Sequence, residues 1–97
     1  MAVNSCVEQF NQKVIGIEKA LNAFVETGTD EELFLSGYLH GHFSLVVSQA
    51  QLSQQTSPEQ LDQRMQESLN EAFQAGELEE QDQRQVLTMW QSLLLTA

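Results

Sequence analysis

The chain predicts an all-α fold: a four-helix, mostly antiparallel bundle with two longer and two shorter helices. Three observations carry this. One proline and five glycines among 97 residues leave few interruptions, and most of them fall where a helix begins or ends. Apolar residues recur at alternating steps of three and four, with no convincing two-residue alternation. Capping signals stand ahead of the periodic runs at Ser5, Thr29 and Ser57. Together they divide one domain, residues 1–97, into helices over roughly 4–27, 30–53, 58–75 and 79–95.

In the first helix Val3, Val7, Phe10, Val14, Ile17, Leu21 and Phe24 form the seam that packs on near-antiparallel neighbours. Ser5 with Glu8 fits a capping box at its start, and Gly28 offers a left-handed stop at its end. Thr29 with Glu32 opens a second capping box at once, so the first two helices form a hairpin.

The second helix is apolar over more than half its circumference, through Phe34, Leu35, Tyr38, Leu39, Phe43, Leu45, Val46, Val47 and Ala50. Such a helix should be central. Its remaining stripe is small or polar, with Gly37, His40, Gly41, Ser44, Ser48 and Gln51. Two mid-helix glycines cost about 1 kcal/mol each relative to alanine, so something should pack against them. The third helix starts at Ser57 as N-cap and Pro58 at N1, and buries Leu61, Met65, Leu69, Ala72 and Phe73 until Gly76 stops it. Glu79, Glu80 and Asp82 suit the positive end of the fourth helix, whose inward residues are Val86, Met89, Trp90, Leu93 and Leu94. At 1.5 Å per residue the first two helices reach about 35 Å, so the long hairpin should overhang the short one and expose apolar surface.

Composition narrows the function. Fourteen acids against four bases give a net charge of −10, which repels phosphate backbones and anionic headgroups, so neither nucleic acid nor a membrane surface is expected as a partner. No apolar run is long enough to span a bilayer, and the first ten residues lack the features of a signal peptide. The lone Cys6 rules out an internal disulfide, so a reducing, cytoplasmic location is expected.

Two stretches carry a resemblance. The run from Asp30 to His42, D-E-E-L-F-L-S-G-Y-L-H-G-H, and the later Gly76-Glu77-Leu78 with Asp82-Gln83 and Met89-Trp90, resemble the YfcL family of small bacterial proteins. The resemblance runs through nearly the whole chain. It implies a compact all-helical cytosolic domain and brings no established catalytic activity.

Candidate chemistry is sparse. His42 falls in the apolar arc of the second helix, one turn from Tyr38 and from Val46, which would bury an imidazole that needs hydrogen-bond partners. Tyr38 and His42 are therefore a candidate buried polar site: an acid–base pair on the functional reading, a hydrogen-bonded core pair on the structural one. His40 points about 200° away from His42 and cannot share a metal with it. No metal is expected, because one cysteine and two divergent histidines do not make a zinc set, and neither Glu-x-x-His nor a calcium loop occurs. Ser36 and His40, four apart, could hydrogen-bond without forming a nucleophile site. No cofactor is expected, since no glycine-rich phosphate loop follows a strand.

Subtraction leaves recognition. Ser36, Gly37, His40, Gly41, Ser44 and Ser48 form a candidate interaction surface unless another helix of the chain fills it. The leading expectation is a non-enzymatic protein–protein interaction module, with a protein partner or a second copy as a possible homodimer. The acidic C-terminal half, with eight acids against two arginines after residue 56, would favour a basic partner. The alternatives are an enzyme or accessory subunit built on Tyr38 and His42, and a purely structural homo-oligomer.

Overall fold

The computed structural model describes residues 5–96 as four helices: α1 (Ser5–Thr27), α2 (Asp30–Leu52), α3 (Pro58–Gln74) and α4 (Glu80–Thr96). No strand occurs among the described residues. Val3, the side chains of Ser5 and Cys6, and with them the expected Ser5 capping box, lie outside the described residues.

Local chemistry sets the starts. Thr29 accepts a hydrogen bond from the Glu32 amide at 3.1 Å while the Glu32 carboxylate accepts one from the Thr29 amide at 2.9 Å, a reciprocal capping box that satisfies two orphan donors. Ser57 caps α3 by accepting from the Gln60 amide at 3.2 Å, with Pro58 at the position where no amide is missed.

The stops differ from the sequence reading in one respect. Gly28 does not adopt a left-handed conformation; of the described glycines only Gly76 has a positive φ, +80°. Gly28 is needed for another reason: a Cβ there would lie 2.6 Å from the Phe24 carbonyl oxygen. α3 ends in a Schellman motif, the Gly76 amide donating to Phe73 O and the Glu77 amide to Ala72 O. α2 ends the same way without glycine, since Gln54 has φ +58° while its amide donates to Gln51 O and that of Gln55 to Ala50 O. This polar stretch had no legible stop signal, and Arg64 of α3 braces it through Gln55 Oε1 and, at 3.1 Å, Ser53 Oγ. A left-handed non-glycine residue costs about 1–2 kcal/mol, and these bonds help to hold it.

α2 lies against all three other helices, and α1 against α3 and α4, whereas α3 and α4 scarcely approach one another. The short α3–α4 connection thus does not produce a tightly packed hairpin, because Leu39, Phe43 and Val46 of α2 fill the space toward which both turn their apolar stripes. Contacts on α2 and α3 run in opposite order, Tyr38 with Glu77, His42 with Ser68 and Ser53 with Arg64, so these two helices are antiparallel. The core joins Phe10, Val14, Ile17 and Leu21 to Leu35, Leu39, Phe43, Val46 and Val47, and these to Leu61, Met65, Leu69, Val86, Trp90 and Leu93. Each such side chain contributes about 1.5–3 kcal/mol on full burial. Trp90 is the largest, and its Nε1 donates to Asp62 Oδ1 at 2.9 Å, so the indole is buried without an orphan donor.

Candidate functional site

α2 is central on one side and bare on the other. Phe34 and Leu45, expected in the core, are 51% and 55% exposed, and Leu33 and Leu52 are exposed as well. On a 100° wheel these four bracket Gly37, Gly41, Ser44 and Ser48, all exposed. The two glycines do not accommodate a neighbouring helix of the same chain, because a Cβ added to either would meet nothing within 4 Å. The expected reason for mid-helix glycine is therefore absent inside the fold.

From Leu33 to Leu52 the helix carries no Asp, Glu, Lys or Arg. The acids sit at its N-terminal turn, Asp30, Glu31 and Glu32, where the macrodipole favours them. The outward face is thus an uncharged strip on a chain of net charge −10. Val25 of α1, also exposed, borders it beside Leu33, Gly37 and His40.

Ser36 departs from the rest of its group. It is buried, 3% exposed, and its Oγ donates to the Leu33 carbonyl at 3.1 Å instead of engaging His40. Its place on the wheel, about 100° from Gly37, turns it toward α1. His40 stays exposed and points away from His42.

Tyr38 and His42 come together, but at the surface-reaching boundary of α2 and α3. Both are half-buried. Their ring centroids lie 4.8 Å apart, His42 Nδ1 is 2.7 Å from Ser68 Oγ, and the Tyr38 hydroxyl donates to Glu77 Oε1 at 2.9 Å. Glu77 belongs to the α3 stop, so this bond ties α2 to the turn that leads into α4. Desolvation of the phenol, then its hydrogen bond to Glu77 and that carboxylate's charge, push the Tyr38 pKa from 10 up to about 12. A phenol held protonated in this way cannot serve as a base near neutral pH.

The folded state holds the Tyr38 proton more tightly than the unfolded chain, so the stabilisation is fully present below about pH 10 and is lost as pH rises from 10 toward 12. Tyr38→Phe is expected to cost about 0.5–1.5 kcal/mol at pH 8, for one hydrogen bond. The gap between the two proteins should close above pH 10, which urea unfolding at pH 8 and in the alkaline range measures. Because Tyr38 is the only tyrosine, an absorbance titration reads its ionisation directly.

The partners Glu77, Ser68 and Asp62 were missed, because each contact joins residues at least 26 apart in sequence. The exposed apolar arc had a legible signal, a long charge-free run inside a strongly acidic chain. Elsewhere a cleft of about 490 Å³ separates the end of α1 and the start of α2 from α4; it is lined by Phe24, Leu35, Gln85 and Met89 among others and includes none of the predicted site residues. Among the described residues no group of three or more His, Cys, Asp or Glu is placed to hold a metal ion, and no helix is long and apolar enough to cross a membrane.

The sequence model described as YfcL protein matches residues 8–95. The uncharacterised protein YfcL of Escherichia coli strain K12 is 31% identical over 91 residues, an alignment that covers 94% of this chain and 96% of that protein. No solved structure matches significantly. With a family match over almost the whole chain and a relative aligned nearly end to end, the chain belongs to the YfcL family.

Proposed function

We propose that this protein is a non-enzymatic interaction module of the cytoplasm that binds protein through the outward face of α2. The observation that carries the reading is the bare strip itself: Leu33, Phe34, Leu45 and Leu52 stand in water on one side of a helix that has no charge between Glu32 and the end of the element. Exposed apolar side chains grouped around small residues are the pattern of a helix surface that another element covers. The acid–base reading has less support, because the Tyr38 proton is fixed by Glu77 and the phenol pKa is raised to about 12, far above the working range of a general base.

Site-specific photo-crosslinking in growing cells tests the proposal. A benzophenone amino acid at Ser44, at the centre of the strip, is expected to give discrete crosslinked protein bands, and the same group at Gln12, exposed on α1, is not. Introducing Gly41→Leu alongside the Ser44 probe should remove those bands, since space beside Gly41 is open in the fold and the variant keeps its helices. No band at Ser44, or equal bands at both positions, overturns the reading.

A further inference from the structure

We infer that the cleft between α4 and the junction of α1 with α2 is a binding site for a small organic cation, an ammonium group carried on an apolar body. The site is separate from the proposed interaction surface, since its lining includes none of Gly37, Gly41, Ser44 and Ser48.

The cleft measures about 490 Å³, within the roughly 300–1,000 Å³ of small-molecule sites. Three helices build its apolar part. Leu35 of α2 and Leu93 of α4 are buried, and Phe24 of α1 and Met89 of α4 are half-buried beside them. On α4, Gln85, Met89 and Ser92 follow at steps of four and three, so they share the helix face that borders the cleft.

Gln85 supplies the polar requirement. Its Oε1 is buried and accepts no hydrogen bond, the one buried side-chain polar atom in that condition among the described residues. Such groups are nearly always paired, because an unmet acceptor has left water with no bond in return. Elsewhere in this fold they are matched, Trp90 Nε1 with Asp62 and Ser36 Oγ with the Leu33 carbonyl. An apolar side chain at position 85 would occupy the place without that cost. The acceptor therefore calls for a donor from outside the chain, and the cleft that Gln85 borders is where one can enter.

Charge decides which donor. Glu31 is exposed on the lining and takes part in no ion pair, while the half-buried Glu32 keeps its charge as it accepts from the Thr29 amide. Arg84, the single base on the lining, is drawn to Glu80 at 3.2 Å. Three carboxylates against one guanidinium leave the mouth negative. Phe24 stands in the last turn of α1, where the macrodipole is negative and no basic side chain offsets it. The positive end of α2 is already answered by Asp30, Glu31 and Glu32. Each of these favours a cation over an anion, and the apolar walls favour a hydrocarbon body behind it.

Titration of the isotope-labelled full chain with 2-phenylethylammonium at pH 7, followed by nuclear magnetic resonance, tests the site. A probe of about nine non-hydrogen atoms sets the expected dissociation constant on the order of 1 mM. Saturable shifts are expected at the Gln85 side-chain amide and at the backbone amides of Glu31, Leu35 and Met89, with Gly41 and Ser48 unmoved. 2-Phenylethanol, which keeps the ring and one donor without the charge, should bind about fivefold more weakly, and 3-phenylpropionate more weakly still. Gln85→Leu should weaken the ammonium at least about tenfold by removing its acceptor, without loss of stability in urea unfolding. Glu31→Gln, at an exposed position, should weaken the ammonium about fivefold and leave 2-phenylethanol unchanged, a comparison that does not depend on how position 85 repacks. No saturable shift up to about 20 mM, well above the expected constant, overturns the proposal. So does an anion or a neutral probe that binds as tightly as the cation, or an ammonium affinity that either folded variant leaves unchanged.

Discussion

Trp90→Ala is expected to destabilise the protein by about 3–5 kcal/mol, the usual cost of removing a buried aromatic side chain from a packed core. The indole is 1% exposed and is the largest fully buried side chain. It lies where α4 meets α2, with its ring centroid 6.0 Å from that of Phe43 in a tilted arrangement, and its Nε1 reaches Asp62 on α3. Since α3 and α4 scarcely approach one another directly, this hydrogen bond is a main link between them. A domain of this length is stable by about 5–15 kcal/mol, so the single change removes a large fraction of the total. Asp62→Ala leaves the indole N–H without its acceptor and should cost about 1.5–3 kcal/mol, as for a hydrogen bond to a charged group. Because Asp62 acts on the core through the indole, the double variant should be little worse than Trp90→Ala alone. Chemical unfolding followed by far-ultraviolet circular dichroism measures all three, as the chain has no other tryptophan to report by fluorescence. Additive losses would mean that Asp62 stabilises α3 independently, for instance through its bond from Gln66.

The helices were legible because their signals are local. Thr29 with Glu32, and Ser57 with Pro58, act within one turn of the residues they organise, so the sequence order alone places them. The buried stripes of α1, α3 and α4 were readable for a related reason: Phe10, Ile17, Leu61, Met65, Leu69, Val86 and Trp90 recur at helical spacing among polar neighbours. α2 gives no such contrast. With apolar residues around most of its wheel, periodicity cannot separate the side facing three helices from the side facing water, and Phe34 and Leu45 were assigned inward. Only the tertiary arrangement decides between them. The end of α2 was hidden differently, since Gln54 takes a left-handed conformation that its side chain does not announce. Tyr38 and His42 were recognised as neighbours from their four-residue spacing, while their half-buried depth and their partners Glu77 and Ser68 depend on the tertiary arrangement.

Two phenylalanines on that one helix give the sharpest separation of core from working surface. Phe43→Ala is expected to cost about 3–5 kcal/mol, because Phe43 is 0% exposed and packs between α3 and α4 against Trp90. Phe34→Ser, nine positions earlier, is expected to change monomer stability by no more than about 0.5 kcal/mol, as for an exposed surface site with no packed partner to lose. Urea unfolding of the dilute protein compares them. A large loss from Phe34→Ser in the dilute monomer would place that side chain in the core and remove it from the outward face. If stability is instead insensitive to Phe34 and sensitive to Phe43, then α2 has two separate jobs on its opposite sides. One organises the bundle, and the other retains an apolar strip that the isolated fold does not require.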